Sequence, residues 1–255
     1  LAFIFLTVFL DLLGVGILVP VLPFIVAEFR TDALTVGLLS LTFAAAQFFA
    51  SPVLGAWSDR IGRRRVLLLS VFGTGVGYFM FGAAQTLWLL YLARLIDGFT
   101  GGNISTAQAY IADVSPPQDR AKNFGLFGAA FGLGFILGPA LGGILSHGSL
   151  RAPAYAAGIL SLVTVAIGYL VLPESLPPER RTKARFRLGD LHPLGHLGEA
   201  VRRPGVARIF AAFFAMSFAM AGLQSNFAVF THARFGLGPK GNALLLPLVG
   251  LVGVL

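Results

Sequence analysis

Runs of about twenty apolar residues recur along this chain, and between two of them stands a knot of charge, Gly55-Ala-Trp-Ser-Asp59-Arg60-Ile-Gly62-Arg63-Arg64-Arg65-Val-Leu67. A run of that length matches the hydrocarbon thickness of a bilayer, about 30 Å. Backbone polar groups in hydrocarbon must be satisfied within the segment itself, so each run can only be a helix. The composition agrees: 56% of residues are hydrophobic and 12% charged, against about 25% charged in soluble domains, and the mean hydropathy is +0.82. The expected fold class is all-α, a polytopic transmembrane helical bundle.

The spans expected are Leu1 to Ala27, Thr35 to Trp57, Val66 to Ala84, Leu87 to Ala112, Asn123 to Ser146 and Pro153 to Leu172. They make residues 1–172 an N-terminal six-helix bundle. Residues 173–205 are polar and rich in Pro and Arg, which makes them a linker. Leu188, Leu191, Leu194, Leu197 and Val201 recur there at near-helical spacing, as in a helix lying on the membrane surface. Val206 to Phe230 is a seventh span, and Gly241 to Leu255 begins an eighth. Residues 206–255 are therefore expected to be the start of a truncated second bundle. The first span has no basic leading segment, cleavage site or initiator Met, so it is not a signal peptide, and the chain is expected to begin inside a longer sequence.

Lys and Arg outnumber Asp and Glu by 19 to 11, for a net charge of +8. Most of the cations fall after spans two, four and six: Arg60, Arg63, Arg64 and Arg65, then Arg120 and Lys122, then a cluster from Arg180 to Arg208. The opposite loops hold only Arg30, Arg151, Arg234 and Lys240. A short loop packed with Arg resists translocation, so the rich side is expected to be cytoplasmic and the protein an integral, multi-pass component of the cytoplasmic (inner) membrane. This bias also explains the basic pI without nucleic acid as a partner, for no aromatic residues interleave the Arg run. The absence of cysteine excludes disulfides and thiolate chemistry.

Three charged residues fall near the middle of the spans: Asp11, Arg94 and Asp97. Such groups cost several kcal/mol in a bilayer unless paired or hydrated, which makes them functional candidates against the plainer reading of a buried ion pair. At 1.5 Å rise per residue each acid lies about 15 Å from its end of the span, near the midplane. Arg94 shares a helix face with Asp97 and has either Asp97 or Asp11 as a partner. Along that stripe follow Gly101, Ser105 and Gln108, positions suited to a wet cavity. Gln47, Ser105, Gln108, Gln224 and Asn226 are candidate substrate-lining residues, with hydrogen bonds between helices as the alternative.

Gly55-x-x-x-Asp59-Arg60-x-Gly62-Arg63-Arg64 resembles the cytoplasmic signature between helices two and three of the major facilitator superfamily. Leu10-Asp11-Leu-Leu-Gly14-x-Gly16-x-x-x-Pro20-x-Leu-Pro23 resembles the first-helix motif of its drug:proton antiporter branch, and Arg94-x-x-x-Gly98 the fourth-helix motif. Gly134-x-x-x-Gly138-Pro139-x-x-Gly142-Gly143 is similar to the fifth-helix motif associated with antiporters. Tyr110-Ile-Ala-Asp113 and Leu172-Pro173-Glu174-Ser175 bring the likeness nearest to tetracycline/proton antiporters. The resemblance implies the major facilitator fold, alternating access by two bundles, and a proton-coupled antiporter exporting amphipathic organic compounds. It implies that Asp11, Arg94 and Asp97 form the charge relay, that Gly55, Asp59, Arg60, Gly62, Arg63 and Arg64 form a cytoplasmic gate, and that the Gly138-Pro139 kink seals the pathway. Tetracycline antiporters carry an acid in the third helix where this chain has Gly77, and a small residue where it has Asp97, so the acid has moved helices.

Protons are the coupling ion expected, with no other cofactor. The expected partners are a small-molecule substrate and the lipid bilayer, with the protein a monomer. The alternative readings are a carrier of a sugar or lipid by symport or uniport, and a non-transporting receptor or scaffold. An enzyme is not expected, since the spans hold no nucleophile and base set. His192 and His196 are four apart, but Pro193 and Gly195 break the helix that a metal pair needs. Gly73, Gly75 and Gly77 lack the context of a nucleotide loop and read as packing. Gly128, Gly132, Gly134, Gly138 and Gly142 are expected to form one surface for close helix packing. The 24 Phe residues suit an aromatic-lined pocket or a lipid-facing surface.

Overall fold

The computed structural model describes residues 2–29, 32–182, 198, 202, 204–242 and 244–245. Its main helices are α1 (Ala2–Leu18), α2 (Leu22–Ala27), α3 (Ala33–Ile61), α4 (Arg63–Ala83), α5 (Leu87–Gly101), α6 (Ile104–Val114), α7 (Arg120–Leu145), α8 (Ala152–Val171) and α9 (Pro204–Phe235). There is no strand among the described residues. The surface helix expected through Leu188, Leu191, Leu194, Leu197 and Val201, the pair His192 and His196, and most of the expected eighth span lie outside them.

Local chemistry sets the helix ends. Asp32, in extended conformation, accepts a hydrogen bond from the Thr35 amide at 2.7 Å and so caps α3. Thr86 does the same for α5 through the Leu89 amide. Gly62 alone separates α3 from α4, at φ +106°, a conformation in which a Cβ is strained.

The first and fourth expected spans are each two helices laid end to end. Pro20, which has no amide hydrogen to offer, stands in the break between α1 and α2. The break between α5 and α6 falls at Gly102 and Asn103. The carbonyls left over there are taken by side chains. Gln47 Nε2 donates to the Gly101 oxygen at 2.9 Å, and the hydroxyls of Ser51 and Ser105 donate to the Gly102 oxygen. Non-helical backbone at membrane depth persists only with such partners. Sequence periodicity treats Asp97, Gly101, Ser105 and Gln108 as one stripe, whereas the break divides it. Pro52 and Pro139, by contrast, lie inside α3 and α7 without ending them.

α1 packs on α7 and α8, α4 on α5 and α8, and α3 on α5. Two apolar clusters fill the bundle. One joins Leu13, Ile17 and Val21 to Leu39, Tyr78, Phe81 and Ala157. The other, nearer the Arg-rich end, joins Ile4 and Val8 to Leu67, Tyr110, Ile111 and Phe127. Asp11 lies between Val8 and Leu13, at the seam of the two. The outer faces carry Leu and Phe: Phe48, Phe49, Phe72, Phe99, Phe213, Phe214 and Phe218 are exposed, as a lipid-facing surface requires. α9 touches α3 through its later turns, where Ala228 is buried and Val229 joins the first cluster.

The closest helix approach uses glycine on both sides. A Cβ added at Gly138 would stand 2.6 Å from Gly16 Cα, one at Gly134 2.9 Å from Leu12 Cβ, and one at Gly142 2.1 Å from the Ile17 carbonyl oxygen. Gly143 is buried, and its carbonyl accepts from Ser146 Oγ at 2.8 Å. A Cβ added at Gly128 or Gly132 would meet nothing within 4 Å among the described residues, so these two do not join that contact with α1, in contrast to the expectation of a single five-glycine face. Gly73, Gly75 and Gly77 pack against Thr100, Ser161 and Asp97. Gly138→Ala is therefore expected to lower stability by about 1–3 kcal/mol through overpacking against backbone. Gly128→Ala is expected to be neutral or to add up to about 1 kcal/mol through helix propensity. Thermal melting of the two variants in one detergent checks the contrast.

Candidate functional site

Arg94 and Asp97 lie one turn apart on α5, and Arg94 Nη1 donates to Asp97 Oδ2 at 2.7 Å. Two glycines make room for them. Gly77 of α4 faces Asp97, where a Cβ would meet Asp97 Cβ at 3.0 Å. Gly98 lets α3 come so near that a Cβ there would lie 2.3 Å from the Phe43 carbonyl oxygen. That approach sets the Phe43 ring 4.3 Å from the Arg94 guanidinium, where the ring face attracts the cation. Asp97 is 2% exposed, and its second oxygen, Oδ1, has no partner among the described residues; neither does Arg94 Nε.

Asp11 pairs with Asn103, not with Arg94. Asn103 Nδ2 donates to Asp11 Oδ2 at 3.4 Å from the break between α5 and α6, while Asp11 Oδ1 is buried without a partner among the described residues. Asp11, Thr7 and Asn103 border a chamber of about 20 Å³, room for roughly one water. Asn103 is the residue that spacing alone misses. Its only sequence signal is a buried-type amide just after two glycines inside an apolar run.

A larger cavity of about 480 Å³ opens between the bundle and α9. Arg94, Gln47 and Ser40 are the polar groups on its wall, with Phe43, Leu41 and Val15 among the apolar ones and Ala221 and Ala228 from α9. The other candidate lining residues stand elsewhere. Ser105 bonds to the Ser51 and Gly102 carbonyls, Gln108 is exposed, and Asn226 is exposed with its amide on the Gly222 carbonyl of its own helix. The Gln224 side chain lies outside the described residues. Phe43 is the phenylalanine on this wall; most of the exposed Phe side chains face outward.

At the Arg-rich end the charges interlock. Arg63 pairs with Asp59 at 2.6 Å and with Asp113 of α6 at 3.1 Å, and it donates to Ser58 Oγ. Glu174, beyond the end of α8, reaches back to accept from the Arg63 amide at 2.9 Å and the Arg64 amide at 3.4 Å. It therefore caps α4 from a distant part of the chain, where the helix dipole favours an anion. Gly62 leaves space for this, since a Cβ there would fall 2.2 Å from Glu174 Oε2. Arg64 donates to the Tyr169 carbonyl and lies over that ring, Arg60 is half-buried, and Gly55 faces Ser105. The Thr182 amide donates to the Asp59 carbonyl at 2.9 Å. The signature thus ties α3, α4, α6 and the segment after α8 together.

Long apolar helices, two broken at membrane depth, with buried charges beside a central cavity, define a multi-pass membrane protein of the carrier type. The chain belongs to the Major Facilitator Superfamily, whose sequence pattern matches residues 4–255. It is 36% identical over 252 residues to the tetracycline resistance protein, class C, of Escherichia coli, covering 98% of this chain and 63% of that protein. It is 28% identical over 248 residues to multidrug resistance protein 2 of Bacillus subtilis, covering 97% of this chain and 62% of that protein. The chain thus spans less than two thirds of the length of these relatives. Its fold matches the crystal structure of the human organic anion transporter MFSD10 (TETRAN) with a TM-score of 0.80 at 26% identity, over 98% of this chain and 68% of that one. A bacterial homologue of the lysosomal transporter Spinster, in an inward-facing unoccupied conformation, matches in fold with a TM-score of 0.78.

Proposed function

We propose that this chain forms the larger part of a proton-coupled antiporter that exports amphipathic organic compounds across the cytoplasmic membrane by alternating access. The observation that carries the reading is that two buried acids, Asp97 and Asp11, each keep one oxygen without a partner among the described residues, and that Arg94, the ion-pair partner of Asp97, stands on the wall of a mostly apolar cavity. A buried acid oxygen without a protein partner is a place where a proton removes the cost of a buried charge. Protonation of Asp97 would release Arg94, and the two bundles would then rock about the cavity. The relatives that are named for drug resistance support the substrate class. The interlocked charges around Arg63 would act as the gate on the cytoplasmic side.

The test is flux of an amphipathic fluorescent cation such as ethidium in liposomes holding the full-length protein, with and without a pH gradient. The reading requires dye movement against the proton flow that collapses when the gradient is dissipated. Flux indifferent to the gradient would sink it. A second reading, a carrier of amphipathic organic anions, is favoured by Arg94 as the charged group on the cavity wall and by the likeness to an organic anion transporter. A naphthalenesulfonate moved in preference to ethidium would select it.

A further inference from the structure

Four buried side-chain oxygen atoms have no hydrogen-bond partner among the described residues: Asp11 Oδ1 on α1, Asp97 Oδ1 on α5, the hydroxyl of Tyr78 on α4 and Thr106 Oγ1 on α6. Buried polar atoms are nearly always satisfied, so orphans need a reason. The first three lie on helices that meet around Gly77 and Tyr78. Tyr78 is 1% exposed. Its ring lies against Gly14, where a Cβ would stand 3.3 Å from Tyr78 Cε2 and 3.7 Å from the hydroxyl oxygen. Gly14 is one turn beyond Asp11 on the same face of α1. The residue before Tyr78 is Gly77, which touches Asp97. The phenol therefore reaches α1 one turn from Asp11, from a helix, α4, that packs on the Asp97 helix α5 through the adjoining Gly77. Phe or Leu would fill this apolar place without leaving an unsatisfied hydroxyl.

We infer that the Tyr78 hydroxyl is a proton relay between Asp11 and Asp97. A tyrosine hydroxyl both donates and accepts, so it can pass a proton without holding a charge. When Asp11 is protonated and the three groups close up, the Asp11 O–H bond breaks as its proton joins the Tyr78 oxygen, and the Tyr78 O–H bond breaks as that proton joins Asp97 Oδ1. One proton has then moved from α1 to α5, Tyr78 is unchanged, and the new Asp97 carboxyl no longer holds Arg94 as an ion pair. The transfer thus links the protonation of Asp11, beside the chamber it shares with Thr7 and Asn103, to the release of a cation on the wall of the large cavity.

The inference rests on the proton coupling proposed above, and its test separates the two. Full-length protein and its Tyr78→Phe variant are compared in liposomes for pH-gradient-driven ethidium transport and for ethidium exchange at equal pH on both sides. The relay predicts that Tyr78→Phe slows gradient-driven transport by about tenfold to a hundredfold and leaves exchange unchanged, because the ring still fills its place. It also predicts that driven transport by the unaltered protein slows in D2O and that exchange does not. Equal driven rates in the two proteins, or loss of driven transport and exchange together with an unchanged melting temperature, would overturn the relay while the antiporter reading stands. Should Tyr78→Phe melt early, the D2O comparison decides: no isotope effect on driven transport overturns the relay. No driven transport in the unaltered protein would overturn both.

Discussion

Asp97→Asn is expected to cut pH-gradient-driven transport by about a hundredfold or more, the scale of losing a positioned proton carrier. Asparagine matches the shape of aspartate and keeps an oxygen for Arg94 Nη1 to donate to, but it cannot take up a proton. Exchange of substrate at equal pH should therefore survive. The substitution also strands a cation. Removing one member of a buried ion pair costs about 3–5 kcal/mol, which the amide oxygen and the Phe43 ring reduce here to about 2 kcal/mol. Asp11→Asn should cost less stability, because its partner Asn103 is neutral. Proton uptake measured together with flux in liposomes checks both. If the double variant Asp11→Asn, Asp97→Asn still transports against a gradient, neither acid carries the proton.

Gly62→Val should be the most damaging single change at the Arg-rich end, at about 3 kcal/mol or more. A β-branched residue at φ +106° costs roughly 1–3 kcal/mol in backbone strain. Its Cβ would also occupy the position of the Glu174 carboxylate, detaching it from the amides of Arg63 and Arg64. Glu174→Ala isolates the second effect and should cost about 1 kcal/mol, as the loss of a helix cap does. Melting temperatures in the order unaltered, Glu174→Ala, Gly62→Val are the expected result. A Gly62→Val protein as stable as Glu174→Ala would show that the turn does not need glycine. The Arg63–Asp59 and Arg63–Asp113 pairs should make both variants more salt-sensitive at this end, for Asp59 is half exposed and screened by solvent.

Some features could be read in the sequence because they depend on residue type alone. The helical class, the positions of the long apolar runs and the Arg-rich side follow from hydrocarbon thickness and the cost of charge in lipid. The pairing of Arg94 with Asp97 was one of two options that helical spacing left open, and the same spacing brought in the stripe of Ser105 and Gln108. That stripe assumed an unbroken helix. Gly101, Gly102 and Asn103 interrupt it, because Gln47, Ser51 and Ser105 stabilise the exposed carbonyls better than another turn of a glycine-rich helix would. Likewise five glycines along α7 look equivalent in sequence, yet Gly134, Gly138 and Gly142 meet α1 and Gly128 and Gly132 face open space among the described residues.

What the sequence determined by itself is where the chain crosses the membrane and which few charges it keeps there, since each apolar residue or buried charge acts through its own transfer energy. Which of those charges meet was decided only by the tertiary structure. Asp11 to Asn103 spans 92 positions and Arg63 to Glu174 spans 111, and no periodicity reaches so far. Those partners are chosen by how closely helices can approach, and the glycines at 16, 77, 98 and 138 set that distance one contact at a time.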